Sequence, residues 1–370
     1  MRNAVVDRYA GSEPQIAAQV WRSHPKVEIG TGLTAIARSS VERRPVGDQV
    51  FALLGDAARK MPLAPEPFLV RGVQQQVAGN IEAAAKAFGA AELRDGRSMP
   101  ARYFLAQLYF RTGDAQHGLW EIAYLAKALP DGVTRLAPYV ATYARNPRNH
   151  PAVRMLFKSN PRLGDESLSV LADDASNAEL VQTLGIAVPV DASTQWPGRL
   201  INALIKAGEY AKAHSLWAKA YHAENGGTLL YRPDFGDSGR PPPFNWALAT
   251  SSVGIAERAG AGLHVIYYGQ EEGELASQLL LLGPGAYHLS ARVAGASASA
   301  QSLAWTVTCA NSNGTIGRFP LDAAQAAQGW TFTVPENCPA QRLALLGTMS
   351  EVPQQADVTI SGLKLERVNG

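Results

Sequence analysis

Apolar residues recur at helical spacing through about the first 225 residues of the chain. Three stretches in this region share one layout, in which a helical pattern runs into a glycine and a second helical pattern follows. The glycines are Gly79, Gly113 and Gly208. Glycine permits the positive φ that a tight turn between two helices requires. The layout therefore predicts three helical hairpins.

The spacing of the hairpins indicates a repeat. A large residue follows each glycine by nine positions; these residues are Phe88, Ile122 and Trp217. Gly79 and Gly113 lie 34 residues apart, which is the period of a stacked helix-turn-helix repeat. The next glycine of the pattern comes after 95 residues, so the units between residues 131 and 190 are degenerate or of another length.

Each unit carries a similar set of packing residues around its turn glycine. They are Phe68, Gly72, Ala84, Phe88 and Ala91 in the first unit, Leu105, Ala106, Tyr109 and Pro130 in the second, and Leu200, Leu204, Ala213, Trp217 and Ala220 in the third. With these residues the units resemble tetratricopeptide repeats, although Gln75, Gly118 and Ile201 depart from the pattern. The resemblance implies an α-solenoid, a fold that binds protein partners and seldom carries a catalytic site.

A change of pattern follows the helical region. Residues 226–243 are rich in Gly, Pro and Asp and predict a linker. Beyond them apolar and polar residues alternate; Leu263, Val265 and Tyr267, for example, share one face of a predicted strand. Eight or nine such strands separated by turns predict an antiparallel β-sandwich. Gly362 with its neighbour Ser361 breaks the phase of the last strand, as a β-bulge would.

The C-terminal part, residues 244–368, opens with Phe244-Asn245-Trp246, followed by a Gln-led apolar strand, a Pro-Gly turn and a Tyr-led strand. In these features it resembles the jelly-roll, galactose-binding-like sandwiches of carbohydrate-binding modules. We thus predict a helical repeat domain over 1–225, a linker over 226–243 and a jelly-roll sandwich over 244–370. The combination resembles bacterial envelope proteins associated with polysaccharide assembly.

Charge argues against a nucleic-acid partner, and hydropathy argues against a membrane-spanning segment. Charged residues are 18% of the chain and the formal net charge is +2, with no run of Lys or Arg, so we expect no nucleic-acid partner. No apolar stretch reaches the roughly 18 residues of a membrane span. The first 15 residues have no apolar core, so we expect no signal peptide there, and membrane association stays undetermined.

The two cysteines, Cys309 and Cys338, both lie in the predicted sandwich. They can be two buried free thiols, or one disulfide, which would imply an oxidising compartment. We favour the disulfide because both residues belong to the same domain. That choice predicts a periplasmic or envelope-associated protein, with the cytoplasm as the alternative.

Motifs of catalysis are incomplete. Gly236-Asp237-Ser238-Gly239 copies a serine-protease nucleophile stretch, but no segment supplies the base and the stretch lies in the linker. His214 and His222 lack a third metal ligand. The acidic residues Glu271, Glu272 and Glu274 are too few for a calcium site, which needs six to eight oxygens, and a solvated turn is the simpler interpretation. We expect no catalytic residue, metal or cofactor.

Two surfaces are candidates for binding. The first helix of each repeat would present Leu69, Val73 and Gln76 in one unit and Tyr103, Gln107, Phe110 and Arg111 in the next. Exposed aromatic rings with Arg and Gln suit a peptide-binding groove; the alternative is that Tyr103 and Phe110 pack against neighbouring helices. On the sandwich, Tyr268, His264, His288 and Arg292 fall on polar phases and could bind a sugar, or form a plain solvated face. Trp305 and Trp330 fall on apolar phases and are expected in the core.

Two hypotheses of function follow. The first is a non-enzymatic adaptor or scaffold of the bacterial cell envelope, which holds a protein partner with its helical repeats and takes part in polysaccharide assembly or export. The alternative is a carbohydrate-binding protein that acts through the C-terminal sandwich, with a polysaccharide as its ligand.

Overall fold

The computed structural model of the chain describes residues 1–223, 228–236, 239–260, 262–295, 302–349 and 354–368. Helices fill the N-terminal part. They are α1 Arg2–Tyr9, α2 Pro14–Trp21, α3 Pro25–Val41, α4 Asp48–Lys60, α5 Glu66–Val77, α6 Ile81–Arg94, α7 Met99–Thr112, α8 Ala115–Ala128, α9 Gly132–Ala144, α10 His150–Ser159, α11 Pro161–Ala172, α12 Ala178–Gly185, α13 Trp196–Lys206 and α14 Tyr210–Ala220. Short 3₁₀ turns at Pro147–Asn149 and Ala175–Asn177 precede α10 and α12. Every helix among the described residues is too short or too polar to cross a bilayer.

The three predicted hairpins are present as α5–α6, α7–α8 and α13–α14. Their turn glycines have nearly identical φ angles of 81°, 80° and 79° at Gly79, Gly113 and Gly208. A side chain would be strained there, which is why glycine stands at each turn. Helices α3 and α4 form a further hairpin, which the sequence pattern did not reveal.

Small residues let the paired helices approach closely. In α5–α6 the Phe88 ring lies against Gly72, where an added methyl group would come within 2.4 Å of the ring. Arg102 of α7 adds ion pairs with both neighbouring helices, since it contacts Glu92 of α6 at 2.9 Å and Glu121 of α8 at 2.7 Å. Burial raises the pKa of Glu121, and the hydrogen bond from Arg102 opposes that rise.

In the described residues of the C-terminal part, two five-stranded sheets form an antiparallel β-sandwich. Its strands are β1 Ala247–Leu248, β2 Gly254–Ala259, β3 Gly262–Tyr267, β4 Gly273–Leu280, β5 Gly285–Gly295, β6 Leu303–Cys309, β7 Thr315–Pro320, β8 Trp330–Val334, β9 Gln341–Gly347 and β10 Ala356–Arg367, and helix α15, Ala323–Gln328, lies between β7 and β8. One sheet has the order β1-β4-β9-β6-β7 and the other β2-β3-β10-β5-β8. The predicted fold class, helical repeats followed by an antiparallel sandwich, is therefore present.

Alternation along the strands places their apolar faces between the two sheets. Leu263, Val265 and Tyr267 on β3 are fully buried, and so are Trp305 and its neighbours at two-residue spacing on β6. The register of β10 against β5 shifts between Ser361 and Lys364, and Gly362 has a φ of 57°. The predicted bulge is confirmed. A further ring, Trp246, also lies in this core.

The chain divides into two compact units. One comprises residues 1–170 and 182–189; the other comprises residues 171–181 and 190–370. Hairpin α13–α14 thus belongs to the same unit as the sandwich. The domain boundaries expected at residues 225 and 243 fall inside that second unit.

The described residues between α14 and β1 are packed rather than extended away from their neighbours. Trp217 on α14 donates its indole N–H to the Pro241 carbonyl at 2.8 Å. Leu230 and Phe235 enter the core of the sandwich, and the Trp246 indole donates to the Arg232 carbonyl at 2.8 Å. Of the protease-like stretch considered above, Asp237 and Ser238 lie outside the described residues.

Candidate functional site

A mostly apolar groove lies between α7, α8 and α9. Its volume is about 630 Å³, and we call it the α7–α9 groove. Buried aliphatic side chains form its floor, and aromatic and amide side chains form its walls. The lining residues are Tyr103, Ala106, Gln107, Phe110, Ile122, Leu136, Tyr139, Thr142, Tyr143, Asn146 and Asn149. Three of the residues predicted for partner binding, Tyr103, Gln107 and Phe110, therefore meet in one concavity.

Helical spacing explains how α7 and α9 line this groove. Tyr103 and Gln107 are four residues apart on α7, as Tyr139 and Tyr143 are on α9, so each pair shares one helix face. The Gln107 side-chain amide donates a hydrogen bond to the Tyr103 hydroxyl at 2.8 Å. That bond orders both side chains along the wall of the groove.

The Phe110 ring occupies the space left by Gly118 of α8. A methyl group at Gly118 would lie 2.7 Å from the ring, so only glycine allows this position without a shift. On its other side Phe110 contacts Tyr143, with the ring centroids 4.7 Å apart. Gly118 departs from the alanine that the repeat pattern favours, and the departure makes room for a wall of the groove.

Exposed rings remain at the rim. Tyr139 is 67% exposed and Tyr103 is 47% exposed. The alternative that Tyr103 packs into neighbouring helices is therefore not what the structure shows, whereas Phe110 is half-buried against Gly118 and Tyr143. Exposed aromatic rings beside a preformed apolar cavity are what a binding hot spot requires.

Burial favours the neutral form of the Tyr143 hydroxyl. Burial, with a smaller contribution from the Asp114 carboxylate, raises the pKa of Tyr143. Asp114 itself accepts a hydrogen bond from the His117 backbone amide at 3.3 Å and contacts the His117 ring at 2.7 Å. Tyr143 therefore presents an uncharged hydroxyl at neutral pH, able to donate or accept a hydrogen bond.

The other residues predicted on the first helices lie elsewhere. Leu69 and Val73 line a separate apolar cavity of about 550 Å³ formed with residues of α3, α4 and α7. Gln76 lines neither cavity: it is half-buried, and its side-chain oxygen is enclosed without a hydrogen-bond partner. Arg111 is exposed at the end of α7, four residues after Gln107. The residues predicted for partner binding therefore do not form one continuous surface. The aromatic ones among them line the α7–α9 groove.

Another, smaller cavity of about 320 Å³ lies between α10 and α8, the second helix of the α7–α8 hairpin. Trp120, 73% exposed, and Met155 line it. Neither residue was singled out from the sequence, nor were Tyr139 and Tyr143. The i, i+4 pair of tyrosines was visible in the sequence, but it lies between residues 131 and 190, where the repeat signature is lost.

The four residues predicted for carbohydrate binding do not converge. His264 of β3 and Arg292 of β5 lie opposite Thr359 and Ser361 of β10, so they are close along the sheet but separated by a strand. His288 lies opposite Glu366, near the other end of β10. Tyr268 directly follows Tyr267, which pairs with Ala356, so about ten strand residues, roughly 30 Å, separate it from His288.

Two of these four residues contact neighbouring groups of the sheet. The His264 ring contacts Asp357 at 2.8 Å and Glu257 at 3.3 Å. The hydrogen bond to Asp357, followed by that to Glu257, raises the pKa of His264. The Arg292 guanidinium lies against Gly362 at the bulge.

The structure also shows the surroundings of the cysteines and of the residues considered as metal ligands. Cys309 and Cys338 are joined by a disulfide. His214 packs edge-on against Phe244, and burial lowers its pKa. The Glu274 carboxylate is held by Arg342, with a contact of 2.7 Å. Among the described residues, no three His, Cys, Asp or Glu side chains are grouped to hold a metal ion.

Comparisons with known proteins add little to this geometry. No family model and no curated protein matches the chain. Among solved structures it is similar to YrrB, titled a TPR protein with an unusual peptide-binding site, at 12% identity over 47% of this chain and 93% of YrrB, with a TM-score of 0.26. It is also similar to PilF of Pseudomonas aeruginosa, at 12% identity over 55% of this chain and 92% of PilF, with a TM-score of 0.28.

A third similar structure is the flexible tandem repeat domain of a bacterial cellulose synthase subunit, at 17% identity over 54% of this chain and 86% of that domain, with a TM-score of 0.23. We infer nothing about this chain from similarities with TM-scores this low. The assignment of helical hairpins rests on the contacts between the paired helices and on their glycine turns.

Proposed function

We propose that the protein is a non-enzymatic scaffold that holds a segment of a protein partner in the α7–α9 groove. The observation that carries the proposal is the convergence of Tyr103, Phe110, Tyr139 and Tyr143 around an apolar cavity of about 630 Å³. That volume lies in the range of pockets that bind a small ligand, roughly 300–1,000 Å³.

Three features support this function. The groove is built on packed helices, so it exists before a partner arrives, which lowers the entropic cost of binding. Its rim carries two tyrosines, a residue type enriched in binding hot spots. Its polar groups, such as the Gln107 amide and the Tyr143 hydroxyl, can fix the register of a bound chain.

Affinity capture with the full chain tests the proposal. Wild-type protein is compared with a Tyr103→Ala/Tyr139→Ala double variant. Trp120→Ala is the matched control, because it truncates an exposed aromatic residue of α8 that lines the other cavity, between α8 and α10. We expect at least one protein to be retained by wild type and by Trp120→Ala but reduced roughly tenfold with the double variant. The retained protein is then purified and titrated against all three.

Folding is checked by circular dichroism and thermal unfolding of each variant. Because Tyr103 and Tyr139 are exposed, their truncation is expected to leave the unfolding midpoint nearly unchanged. If all three proteins retain the same partners with the same affinity, the α7–α9 groove is not the binding site and the proposal is wrong.

The finer parts of the sequence-based hypothesis stay predictions. These parts are a role in polysaccharide assembly, a galactose-binding-like jelly roll, and carbohydrate binding by the sandwich. For the last of them, the four predicted residues do not form one site. Glycan-array binding by the full chain, with Tyr268→Ala and Arg292→Ala as controls, tests the carbohydrate alternative. The Cys309–Cys338 disulfide supports the proposed envelope or periplasmic localisation, since disulfides persist in oxidising compartments.

A further inference from the structure

Positive charge is concentrated beside the α7–α9 groove. Between Asp131 and Asp165 the sequence contains no acidic residue but six spaced basic ones: Arg135, Arg145, Arg148, Arg154, Lys158 and Arg162. All six are exposed. The whole chain carries a net charge of only +2, so this excess is local and extends from α9 to the first turn of α11.

Two of these arginines, Arg135 and Arg148, and a third from α7, Arg111, border the groove by their positions. Arg135 precedes Tyr139 by four residues on α9, so the two share one helix face. Arg148 lies between Asn146 and Asn149, both of which line the groove. Arg111 follows Gln107 by four residues at the end of α7. Each lies on a helix or turn that forms the groove wall.

These three arginines are not neutralised by the protein. Within the described parts of the chain, Arg111, Arg135 and Arg148 form no ion pair with a carboxylate. Glu121 is buried against Arg102. Two other acids lie near the groove: Asp114, which contacts His117 and acts on Tyr143, and Asp131, four residues before Arg135. Against three arginines, these two leave the charge beside the groove positive, and the arginines are available to a ligand.

We propose that the occupant of the α7–α9 groove is an acidic peptide segment, in which apolar or aromatic side chains enter the cavity and Asp or Glu residues contact Arg111, Arg135 and Arg148. This deepens the proposed function and rests on it. Arginine binds carboxylates through two parallel hydrogen bonds, so the arginines add orientation as well as attraction. The length of α7, 14 residues or about 21 Å, corresponds to roughly six residues of extended peptide.

A peptide fits these observations better than a nucleic acid. The centre of the groove is an apolar cavity lined by Leu136, Ile122 and Ala106, and the cations stand at its border. A phosphate backbone would be bound by a continuous basic surface instead. Oligonucleotide binding remains a defined outcome of the test.

Selection from a displayed library of random peptides, each roughly twice the groove length, tests the inference with the full chain. Binders are selected on wild-type protein and counter-selected on the Tyr103→Ala/Tyr139→Ala variant, so that only groove-dependent sequences remain. We expect these sequences to contain Asp and Glu well above the library frequency, together with at least one aromatic or large aliphatic residue.

The best selected peptide is then titrated, labelled with a fluorophore, in fluorescence polarisation. We expect its Asp→Asn, Glu→Gln counterpart to bind roughly tenfold more weakly, and an Arg135→Glu/Arg148→Glu variant to weaken the acidic peptide by a similar factor. Lys127→Glu, a charge reversal of an exposed residue on α8, is the matched control and should have little effect. Rising NaCl concentration should weaken the acidic peptide more than the neutral one.

The outcomes separate the two proposals. Groove-dependent peptides without an acidic excess, or an equal affinity of acidic and neutral peptides, overturn the charge inference and leave the groove as a docking site. A selection that yields no sequence dependent on Tyr103 and Tyr139 overturns the proposed function as well. Displacement of the acidic peptide by a single-stranded oligonucleotide at equal concentration overturns the assignment to a peptide.

Discussion

The α7–α9 groove and the outer face of the β3-β10-β5 sheet have similar compositions but different arrangements. Both combine aromatic rings with amide or hydroxyl side chains, and basic residues lie within or beside them. In the groove, side chains from three consecutive helices point to one cavity and two rings stay exposed. On the sheet, His264 is bound to Asp357 and Glu257, and Tyr268 and His288 lie near opposite ends of β10.

The difference shows that residues on one face of a sheet or helix form a binding site only where their side chains converge. Helical hairpins bring residues of neighbouring units together at a fixed period, so one helix face continues onto the next. In a sheet the strand register decides which residues are neighbours, and that register is absent from the alternation of a single strand. The rim tyrosines of the groove stay exposed, whereas His264 on the sheet is already bound by two carboxylates.

The largest expected effect comes from separating the sandwich from the segment before it. A fragment of residues 244–370 lacks Leu230 and Phe235, which belong to the sandwich core, and the Tyr231 backbone groups that bond the Gln278 side chain at 3.0 and 2.8 Å. Losing two such core side chains costs about 2–5 kcal/mol each, which approaches the whole stability of a domain.

We therefore expect residues 244–370 to aggregate or bind a hydrophobic dye, whereas residues 171–370, which contain the whole second unit, give a monodisperse, cooperatively unfolding protein. Size-exclusion chromatography and near-ultraviolet circular dichroism distinguish the two. A well-folded 244–370 fragment would show that the segment before residue 244 contributes little to the stability of the sandwich. The sandwich would then be an independent domain.

A second prediction contrasts a core ring with a groove ring. Trp305 is fully buried between the sheets, so Trp305→Ala should lower the free energy of unfolding by about 3–5 kcal/mol. Tyr139→Ala, on the exposed rim, should change it by less than about 0.5 kcal/mol. Urea denaturation of both variants measures the difference. A large loss of stability in Tyr139→Ala would mean that the groove ring serves packing rather than binding.

Much of the fold could be predicted from the sequence because the relevant signals are local. The turn glycines adopt the positive φ that their position in the pattern required, and the alternation around Trp305 placed that ring in the core. Gly362 marked the bulge. Each of these conclusions depends on residues within one hairpin or one strand.

The site was only partly predictable because it depends on residues distant in the chain. Tyr103 and Gln107 were found from the repeat pattern, but Tyr139 and Tyr143 belong to a unit whose pattern is degenerate. Asp357, which binds His264, is 93 residues away from it. The segment before β1 has the composition of a linker, and its packing against α14 and the sandwich depends on tertiary contacts that composition does not encode.

A third, smaller effect is expected where α8 supports the groove. In Gly118→Ala the new methyl group would meet the Phe110 ring at 2.7 Å. Overpacking costs about 1–3 kcal/mol, and the better helix propensity of alanine returns about 0.5–1 kcal/mol. We expect a net loss of roughly 1 kcal/mol in unfolding free energy and weaker binding of a groove peptide, since the Phe110 ring must move.

Gly89→Ala is the matched control for this change. Gly89 lies inside α6, and a methyl group there meets no atom within 4 Å. The substitution should stabilise the protein by about 0.5–1 kcal/mol without affecting the groove. Equal effects of the two substitutions on thermal unfolding would show that Phe110 is free to move, and that Gly118 does not shape the groove wall.

The smallest expected effect is a pH dependence on the sheet face. Because Asp357 and Glu257 raise the pKa of His264 above its ordinary value of 6.5, the folded state binds the proton more tightly than the unfolded state does. The resulting stabilisation is fully present below the unfolded-state pKa and is lost as the pH rises through the higher folded-state pKa. Both carboxylates are largely exposed, so solvent screening keeps the effect below about 1 kcal/mol.

Urea denaturation of wild type and His264→Gln at acidic and alkaline pH measures this contribution as the difference between the two proteins. Wild type should be the more stable at the acidic end, and the gap should close at the alkaline end. A gap that stayed constant with pH would show that the carboxylates do not hold the protonated ring. His264 would then be a free imidazole on the sheet, available to a ligand in the way that the groove tyrosines are.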